Sequence, residues 1–407
     1  MNESVAVTPA GDGFELEEIT VDQFYSMISR ENEFLLLDVR NDQDYESWRV
    51  ESRFTPETIH IPYIIFAEDG PEALEELPEL MAVPDDRLIV ALCAKGGASD
   101  FVAAILRDEG KKAVNLIDGM IAWGNHYVTR PVVEKESYQI YQVDRVARGC
   151  LSHILISQGK AAIVDPLRHI DQYLELIAEK GVELALILDT HAHADHISGG
   201  PSLAEATGAS YYLHPYDAIH PFDMLPAVID YEMLVDGQRL ELGDLTFEVL
   251  HTPGHTLGQV NFIAYDTDGE AYAFTGDNIF LQSFGRPDLG GQGEAWAPIV
   301  YDTIFHRFKE RVPEKALILP GHYASFHEAD EGGLYANPLD VLWRENIGLQ
   351  FEHEDHFIAY VLTHLPDMPQ QYIEIKRVNI GLSQPDEQEA SVLELGKNVC
   401  ALTDAYG

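Results

Sequence analysis

Three histidines and one aspartate fall within six residues directly after an apolar run, and this segment constrains the fold more than any other. Residues 184–188 read Leu-Ala-Leu-Ile-Leu, which predicts a buried strand that ends where polar residues begin. Open α/β sheets and sandwiches build their sites at such strand ends. Imidazole and carboxylate together suit zinc, iron or manganese. The four side chains are His191, His193, Asp195 and His196. They predict a metal site whose remaining ligands come from other strands.

Three later segments supply those ligands. Each follows a strand-like run, and each places a His or an Asp close to a glycine, which lets the backbone pass close to a metal. The three residues are His255 after residues 245–250, Asp277 after residues 271–273, and His322 after residues 316–318. Unrelated histidines rarely share this placement, so the set of seven side chains favours a metal centre over separate surface or core residues.

The order His-x-His-x-Asp-His, then His, Asp and His, resembles the metallo-β-lactamase superfamily over about residues 140–325. Within that superfamily, residues 190–197 and the segment Gly-Arg-Pro-Asp-Leu at 285–289 resemble the persulfide dioxygenases, or sulfur dioxygenases. The resemblance implies an α/β fold in the form of an αββα sandwich, with two mixed sheets face to face and helices outside. Local patterns agree, because residues 161–164 predict a strand and residues 170–180 a helix.

The resemblance leaves two ligand sets open. In the persulfide dioxygenase reading, His191, His255 and Asp277 hold one Fe²⁺ per chain and leave three positions for substrate sulfur and oxygen. The other four residues would then surround the ligands and orient them. These are His193, Asp195, His196 and His322.

The alternative is a dinuclear zinc hydrolase similar to glyoxalase II, in which all seven residues bind metal. Asp277 would bridge two Zn²⁺ ions, and metal-activated water would attack a thioester or lactam. The first ion would take His191, His193 and His255, and the second Asp195, His196 and His322.

Residues 15–127 alternate short strand and helix patterns, which predicts a parallel sheet wrapped by helices. Cys93 lies between a strand ending at Leu92 and a helix over about residues 100–108. Backbone N–H groups and the positive end of that helix favour a thiolate or persulfide there, and the glycines let the loop form an anion-binding nest. The candidate loop comprises Cys93, Ala94, Lys95, Gly96, Gly97, Ala98 and Ser99.

This region resembles a rhodanese, or sulfurtransferase, domain. The segment Asp-Val-Arg at 38–40, the Cys93 loop and residues 118–123 occur in the order of that family. The resemblance implies that Cys93 carries sulfane sulfur as a persulfide. The predicted organisation is a rhodanese-like domain at residues 15–127, a linker at 128–137, a metal domain at 138–325, and a C-terminal extension at 326–407 that packs on the metal domain.

The fusion favours the dioxygenase over the hydrolase. A glyoxalase II substrate contains no sulfane sulfur. A persulfide dioxygenase, in contrast, makes sulfite, which a rhodanese can combine with a persulfide to give thiosulfate. The rhodanese can also run in the opposite direction and generate persulfide for the iron site. The same resemblance implies that Arg286 and Asp288 shape the mouth of the catalytic pocket. The expected partners are a small-molecule persulfide or thiosulfate, a low-molecular-weight thiol and O₂, and a homodimer remains open.

The chain of 407 residues has 69 acidic and 26 basic residues, a net charge of −43. Because the acidic excess runs along the whole sequence, it predicts a solvated surface resembling that of proteins from salt-loving (halophilic) organisms, in which salt screens self-repulsion. Such a surface repels phosphate, so nucleic acid is not an expected partner.

The three cysteines are few, far apart and odd in number, which favours a reducing compartment. Residues 1–20 lack a basic region followed by an apolar core, and no apolar run approaches the roughly 18 residues of a membrane helix. A cytoplasmic protein with no membrane partner is therefore expected. Cys150 is interpreted as a packing residue in a strand, and Cys400 as structural.

Overall fold

The computed structural model describes residues 16–31, 33–365 and 367–402. Residues 1–15, which include the predicted start of the first domain, and residues 403–407 of the predicted extension lie outside this part. The chain divides into two compact units between His126 and Tyr127.

The first unit is built on a five-stranded sheet with the order β1-β5-β4-β2-β3, and all neighbouring strands are parallel. The strands are β1 (Glu18–Ile19), β2 (Leu35–Asp38), β3 (Glu57–His60), β4 (Ile89–Leu92) and β5 (Ala113–Leu116). The helices are α1 (Val21–Ile28), α2 (Asp42–Ser47), α3 (Tyr63–Asp69), α4 (Pro78–Met81), α5 (Gly97–Asp108) and α6 (Gly119–Gly124). The predicted parallel α/β domain is confirmed.

Helix α5 begins three residues before its predicted start. Gly96 adopts φ +87°, a left-handed conformation that L side chains rarely adopt, and it turns the chain into the helix directly after Cys93. A Cβ atom at Gly96 would lie 2.9 Å from the backbone nitrogen of Asp118. Val102 and Leu106 of α5 pack with the apolar residues of β2 and β4 in the buried core of this unit.

The second unit contains two sheets. The seven-stranded sheet has the order β12-β11-β10-β9-β8-β7-β6, and the six-stranded sheet runs from β13 to β18 in sequence order. The first comprises β6 (Tyr127–Glu134), β7 (Tyr138–Arg145), β8 (Cys150–Ser157), β9 (Lys160–Val164), β10 (Glu183–Leu188), β11 (Ser210–Leu213) and β12 (Glu232–Met233). The second comprises β13 (Arg239–Leu242), β14 (Leu245–His251), β15 (Val260–Tyr265), β16 (Ala271–Gly276), β17 (Leu317–Pro320) and β18 (Asn337–Pro338).

Both sheets are mixed. Strands β9 to β12 pair in parallel and β6 to β9 antiparallel, whereas the six-stranded sheet is antiparallel except for the β16–β17 pair. One apolar core lies between the sheets, with Leu155 and Leu188 from one and Phe247 and Phe262 from the other.

Helices cover the outer faces of the two sheets, so the expected αββα sandwich is confirmed. Tyr173 and Leu203 pack on the seven-stranded sheet, and Val300 and Phe357 on the other. The helices are α7 (Asp171–Lys180), α8 (Gly200–Thr207), α9 (Gly293–Asp302), α10 (Lys309–Arg311), α11 (Leu339–Glu345), α12 (Glu354–Thr363), α13 (Gln371–Asn379) and α14 (Glu387–Leu393).

The predicted linker at residues 128–137 is corrected by the structure. Most of it belongs to β6, which pairs antiparallel with β7 at the edge of the seven-stranded sheet. Pro131 obscures this strand in the sequence, because proline cannot donate a ladder hydrogen bond and is confined to edge strands and irregular pairings. The register shifts between Pro131 and Val133.

The segment after residue 325 is part of the metal-domain fold. Strand β18 extends the six-stranded sheet beyond β17, and Phe357 and Val361 of α12 enter the core outside that sheet. Among the described residues, no helix combines the length and the apolar character that a membrane crossing requires.

Candidate metal centre and cysteine loop

Four strands deliver the metal-ligand candidates to one place in the sandwich. Strand β10 ends three residues before His191, and β16 and β17 end directly before Asp277 and two residues before His322. Because β16 and β17 are parallel neighbours, with Gly276 paired to Pro320, Asp277 and His322 emerge side by side. The segment after β14 adds His255. The strand-end placement inferred from the sequence therefore brings these residues together.

His191, His255 and Asp277 form a buried group whose candidate ligand atoms all lie within 4.8 Å of one another. Asp277 Oδ2 lies 3.2 Å from His255 Nε2 and 3.9 Å from His191 Nε2. Within the described part of the chain, both Nε2 atoms and both Asp277 oxygens are buried without a hydrogen-bond partner of good geometry. Such groups are costly to leave unsatisfied. A bound cation fits them.

The other ring nitrogens of the two histidines are engaged. His255 Nδ1 lies 2.8 Å from the carbonyl oxygen of Arg286, and His191 Nδ1 lies 3.0 Å from Thr190 Oγ1. These contacts orient each ring so that Nε2 points inward. Burial, together with the charges of His193 and His255, holds the pKa of His191 well below its usual range. The neutral imidazole that a metal requires is therefore favoured.

The Nε2 atom of His193 points toward two carboxylates outside the group of His191, His255 and Asp277. That atom lies 3.3 Å from Asp165 Oδ1 and 3.7 Å from Asp189 Oδ1, and the three residues form a buried group of their own. Burial opposes a charged ring, but the two carboxylates outweigh it and raise the pKa of His193 well above its usual value. Only Nδ1 of His193 is left to face a metal beside His191.

A second group lies across Asp277 and includes a residue that the sequence interpretation placed in the core. Cys150 Sγ lies 3.2 Å from Asp195 Oδ2, and His322 Nε2 lies 3.4 Å from the same oxygen. His196 Nδ1 lies 3.1 Å from Asp195 Oδ1. Cys150 is therefore not only a packing residue: it begins β8 with its sulfur among three metal-ligand candidates.

The carboxylates of this second group favour the protonated form of its histidines. Burial disfavours a charged His322 ring, yet Asp195 and Asp277 raise the pKa of His322 well above its usual value. Burial would raise the pKa of the Asp195 carboxyl, but the charges of His322 and His196 hold it well below its usual value. A cation can replace these protons, because metal binding releases them from its ligands.

The C-terminal segment contributes residues that the sequence analysis missed. Asn379 Nδ2 donates hydrogen bonds to the carbonyl oxygens of His193, at 2.8 Å, and of His196, at 2.9 Å. Cys400, interpreted as structural, is grouped with Asp277 and His322, and burial with nearby carboxylates raises its pKa well above the usual value. These residues follow His322 by more than 50 positions, and no local pattern marks them.

Arg286 and Asp288, which the sequence predicts at the mouth of the catalytic pocket, form a salt bridge beside the metal centre. The Arg286 side chain is 0% exposed, and its Nε and Nη2 atoms pair with the two oxygens of Asp288 at 2.6 and 2.9 Å. Its backbone nitrogen donates to the carbonyl oxygen of Cys400, at 2.9 Å. Arg286 thus ties the terminal segment to the His255 side of the centre, and Asp288 is the partly exposed member of the pair.

In the first unit, the Cys93 loop forms a separate site. The backbone N–H of Gly96 donates to Cys93 Sγ at 3.1 Å, and Ser99 Oγ lies 3.2 Å from the same sulfur. A cavity of about 320 Å³ opens beside the sulfur, and its wall includes the cationic residues Arg40 and Lys95. The remaining loop residues on that wall are Ala94, Gly97 and Ala98. This arrangement can hold an anionic sulfur compound next to a nucleophilic thiol.

Comparisons with known proteins agree with both units. A rhodanese-like domain model matches residues 20–126, and a metallo-beta-lactamase superfamily model matches residues 145–322. The uncharacterized protein ML0493 of Mycobacterium leprae is 34% identical over 195 residues, which are 42% of this chain and 86% of that protein.

Two further matches are an enzyme relative and a solved structure. A hydroxyacylglutathione hydrolase of Pelagibacter ubique is 27% identical over 257 residues, covering 62% of this chain and 96% of the relative. A metallo-beta-lactamase from Staphylococcus aureus shares the fold, with a TM-score of 0.51, 24% identity, and coverage of 64% and 75% of the two chains. The chain therefore belongs to the metallo-beta-lactamase superfamily and carries a rhodanese-like domain ahead of its metal-binding domain.

Proposed function

We propose that the chain is a persulfide dioxygenase with sulfurtransferase activity, and that it uses one Fe²⁺ held by His191, His255 and Asp277. The observation that carries this proposal is the convergence of those three residues, whose candidate ligand atoms all lie within 4.8 Å of one another in a group that does not include His193. His193 directs Nε2 at Asp165, and its buried Nδ1 has no hydrogen-bond partner in the described residues. Two histidines and one carboxylate with open positions are typical of non-haem iron oxygenases.

The reaction balances as R–S–SH + O₂ + H₂O → R–SH + SO₃²⁻ + 2 H⁺. The S–S bond breaks, the terminal sulfur is oxidised, O₂ is reduced, and the thiol leaves with a proton. When bound, iron supplies the neighbouring coordination positions at which the persulfide and O₂ react. The protein's contribution is to hold the ligands: the Arg286 carbonyl fixes His255, and burial keeps His191 neutral.

Cys93 would carry out the second chemistry in its own cavity. A persulfide on Cys93 transfers its terminal sulfur to sulfite, so that the S–S bond breaks, thiosulfate forms and the Cys93 thiolate is released. The reverse reaction loads Cys93 from thiosulfate. Lys95 on the cavity wall suits both anions, whereas Arg40 on the same wall is already paired with Asp38 at 2.6 Å.

Oxygen uptake tests the first activity. The full chain, loaded with iron, should consume O₂ with cysteine persulfide and release sulfite in equal amount. His191→Ala should lose both iron and uptake, whereas the matched His193→Ala variant should retain iron. No uptake by the iron-loaded protein, together with thioester hydrolysis by a zinc-loaded sample, would overturn the proposal.

A zinc-dependent thioester hydrolase is the second candidate. It is supported by the convergence of Asp195, His196 and His322 on the far side of Asp277 and by the Pelagibacter ubique relative. In this case His193→Ala should lower zinc content and abolish thioester hydrolysis, because its Nδ1 would be a ligand. The two candidates therefore predict opposite metal contents for one variant.

A further inference from the structure

We propose that Lys376 is the anion-binding residue of the metal centre, and that its ammonium holds the negatively charged sulfur group of the substrate and of the sulfite formed from it. This inference deepens the proposed function and rests on it for the identity of the anion. It gives a buried lysine of α13 a role beyond its hydrogen bond to the loop that follows β10.

Helix α13 places Lys376 beside the group proposed for iron. The Lys376 ammonium donates a 2.9 Å hydrogen bond to the carbonyl oxygen of Ala192, inside the ligand-bearing loop after β10. Tyr372 lies one helical turn earlier on the same buried face of α13, and its hydroxyl oxygen lies 4.0 Å from Cys400 Sγ. Cys400 in turn is grouped with Asp277. One face of α13 therefore contacts both the loop that follows β10 and the segment next to Asp277.

The ammonium of Lys376 is buried and incompletely satisfied. The residue is 5% exposed, and the Ala192 carbonyl oxygen is the one acceptor that it meets within the described part of the chain. No carboxylate of the described residues lies within ion-pair distance of its Nζ atom. Burial lowers the pKa of Lys376, and the nearby acidic groups, of which Asp217 contributes most, only partly oppose this shift. A buried cation without a charged partner is costly, and the ammonium has further N–H groups that an anion could accept.

Two other cationic side chains near the centre are already engaged. Arg286 is paired with both oxygens of Asp288, and Arg148 donates to two main-chain carbonyl oxygens, at 2.7 and 2.6 Å. The surface of the chain, with a net charge of −43, repels an anionic ligand, so positive charge inside the centre is required to hold one. Of these three side chains, Lys376 is the one whose single contact leaves its charge available for this role.

The chemistry of the proposed reaction suits a lysine in this position. An ammonium binds anions as a point charge with rotatable donors, so it can follow a sulfur anion and an oxyanion of different shape. The negative charge on the bound sulfur group increases as sulfite forms. Lys376 should therefore stabilise the later, more highly charged state more than the substrate, and its loss should lower kcat as well as affinity.

Sulfite titration of the cobalt-loaded full chain, followed by the visible spectrum of Co²⁺, is the first test. Lys376→Met should weaken sulfite binding by at least roughly 10-fold, as expected when a hydrogen bond to a charged group is lost, and Lys376→Arg should restore most of the affinity. Arg377→Met is the matched control, because it removes the next cation on the same helix, which is paired with Asp223, and it should bind sulfite as the wild type does. Wild-type affinity in Lys376→Met, or an equal loss in Arg377→Met, would overturn the proposal.

Imidazole, a neutral metal ligand, separates the charge of Lys376 from its structural contact. Lys376 also supports the Ala192 carbonyl oxygen, so a purely structural role would weaken the binding of imidazole and of sulfite alike. Under the proposal, Lys376→Met should bind imidazole to its cobalt as tightly as the wild type does. Equal losses of affinity for the two ligands would overturn the proposal.

Selenite, an analogue of sulfite, gives a test on the wild-type protein that does not depend on any variant folding. In crystals of the metal-loaded full chain soaked with selenite, the anomalous signal of selenium should place a selenite oxygen within hydrogen-bond distance of Lys376 Nζ. Selenite that is absent from the centre, or bound there without contact to Lys376, would overturn the anion site. Oxygen uptake without this contact would contradict the anion site alone, and the contact without oxygen uptake would contradict the proposed dioxygenase alone.

Discussion

The buried ammonium of Lys376 donates a 2.9 Å hydrogen bond to the carbonyl oxygen of Ala192, which lies between two of the metal-ligand candidates. Asn379, on the same helix, holds the carbonyl oxygens of His193 and His196 and accepts a hydrogen bond from the N–H of Ser198, at 2.8 Å. Helix α13 thus fixes the backbone of the His-rich loop. The C-terminal segment acts on the metal centre by positioning, through contacts made mainly to main-chain atoms.

We expect Asn379→Ala to weaken iron binding by roughly 10-fold, the low end of the range for residues that orient metal ligands, because Asn379 fixes the loop that follows His191 and contacts none of the three proposed iron ligands. The change leaves two carbonyl oxygens and one N–H group without their protein partner. Equilibrium titration of the metal-free protein with Fe²⁺ under anaerobic conditions measures the effect.

Gln142→Ala is the matched control for this variant. Gln142 is an equally buried amide that donates to the Tyr335 carbonyl oxygen and accepts from its N–H, both at 3.0 Å. Its loss should lower the free energy of unfolding without a comparable change in iron affinity. Equal losses of affinity in the two variants would mean that Asn379 acts only through general stability.

The sequence could predict the strand-end ligands because their placement depends on local information, and the order of these ligands implied the sandwich through its resemblance to a known family. Apolar runs fix the strands, and a polar residue after each run is placed at the sheet edge whatever the remainder of the chain does. His255 and Asp277 are examples. Cys150 and Cys400 could not be predicted as members of the centre, because their contacts join strands or segments far apart in sequence. Similarly, Pro131 interrupts the strand pattern of β6, so this edge strand is recognised only from its pairing with β7 in the structure.

Glu394 should control part of the acid stability of the metal domain. Burial would raise its pKa, but Arg145, Arg168 and Arg148 outweigh it and lower the pKa from 4.5 to about 2. Because the folded value lies below the unfolded one, the carboxylate stabilises the fold above about pH 4.5, and this contribution is lost as pH falls toward about 2. Glu394→Gln should cost about 3–5 kcal/mol at neutral pH and flatten the stability profile over that window. Urea unfolding followed from about pH 2 to about pH 7 measures both effects.

Glu387→Gln is the control for the buried carboxylate. Glu387 pairs with the same Arg168 at 2.6 Å, but its side chain is 71% exposed. An exposed ion pair contributes about 0–1 kcal/mol, so this variant should unfold nearly as the wild type does. If both variants lost the same stability, the burial of Glu394 would not be the cause of its effect.

Cys93→Ser should abolish sulfur transfer from thiosulfate to an acceptor, with at least a roughly 10³-fold fall in rate, because the hydroxyl cannot form a persulfide. The substitution keeps the hydrogen-bonding position next to Gly96 and Ser99. Thiocyanate formation from thiosulfate and cyanide measures the transfer. Iron content and oxygen uptake with an added persulfide should stay at wild-type levels, and their joint loss would show that the two chemistries are not separable.

The net charge of −43 should make the stability of the whole chain depend on salt. Like charges on the surface repel one another, and the screening length falls from about 10 Å at 0.1 M salt to about 3 Å at 1 M. We expect the melting temperature at neutral pH to rise steadily with KCl over this range. Sucrose at the same osmolality is the control, since it favours the compact state by exclusion without screening charge. A melting temperature that rises as much in sucrose as in KCl would mean that charge repulsion is not what limits the stability of the fold.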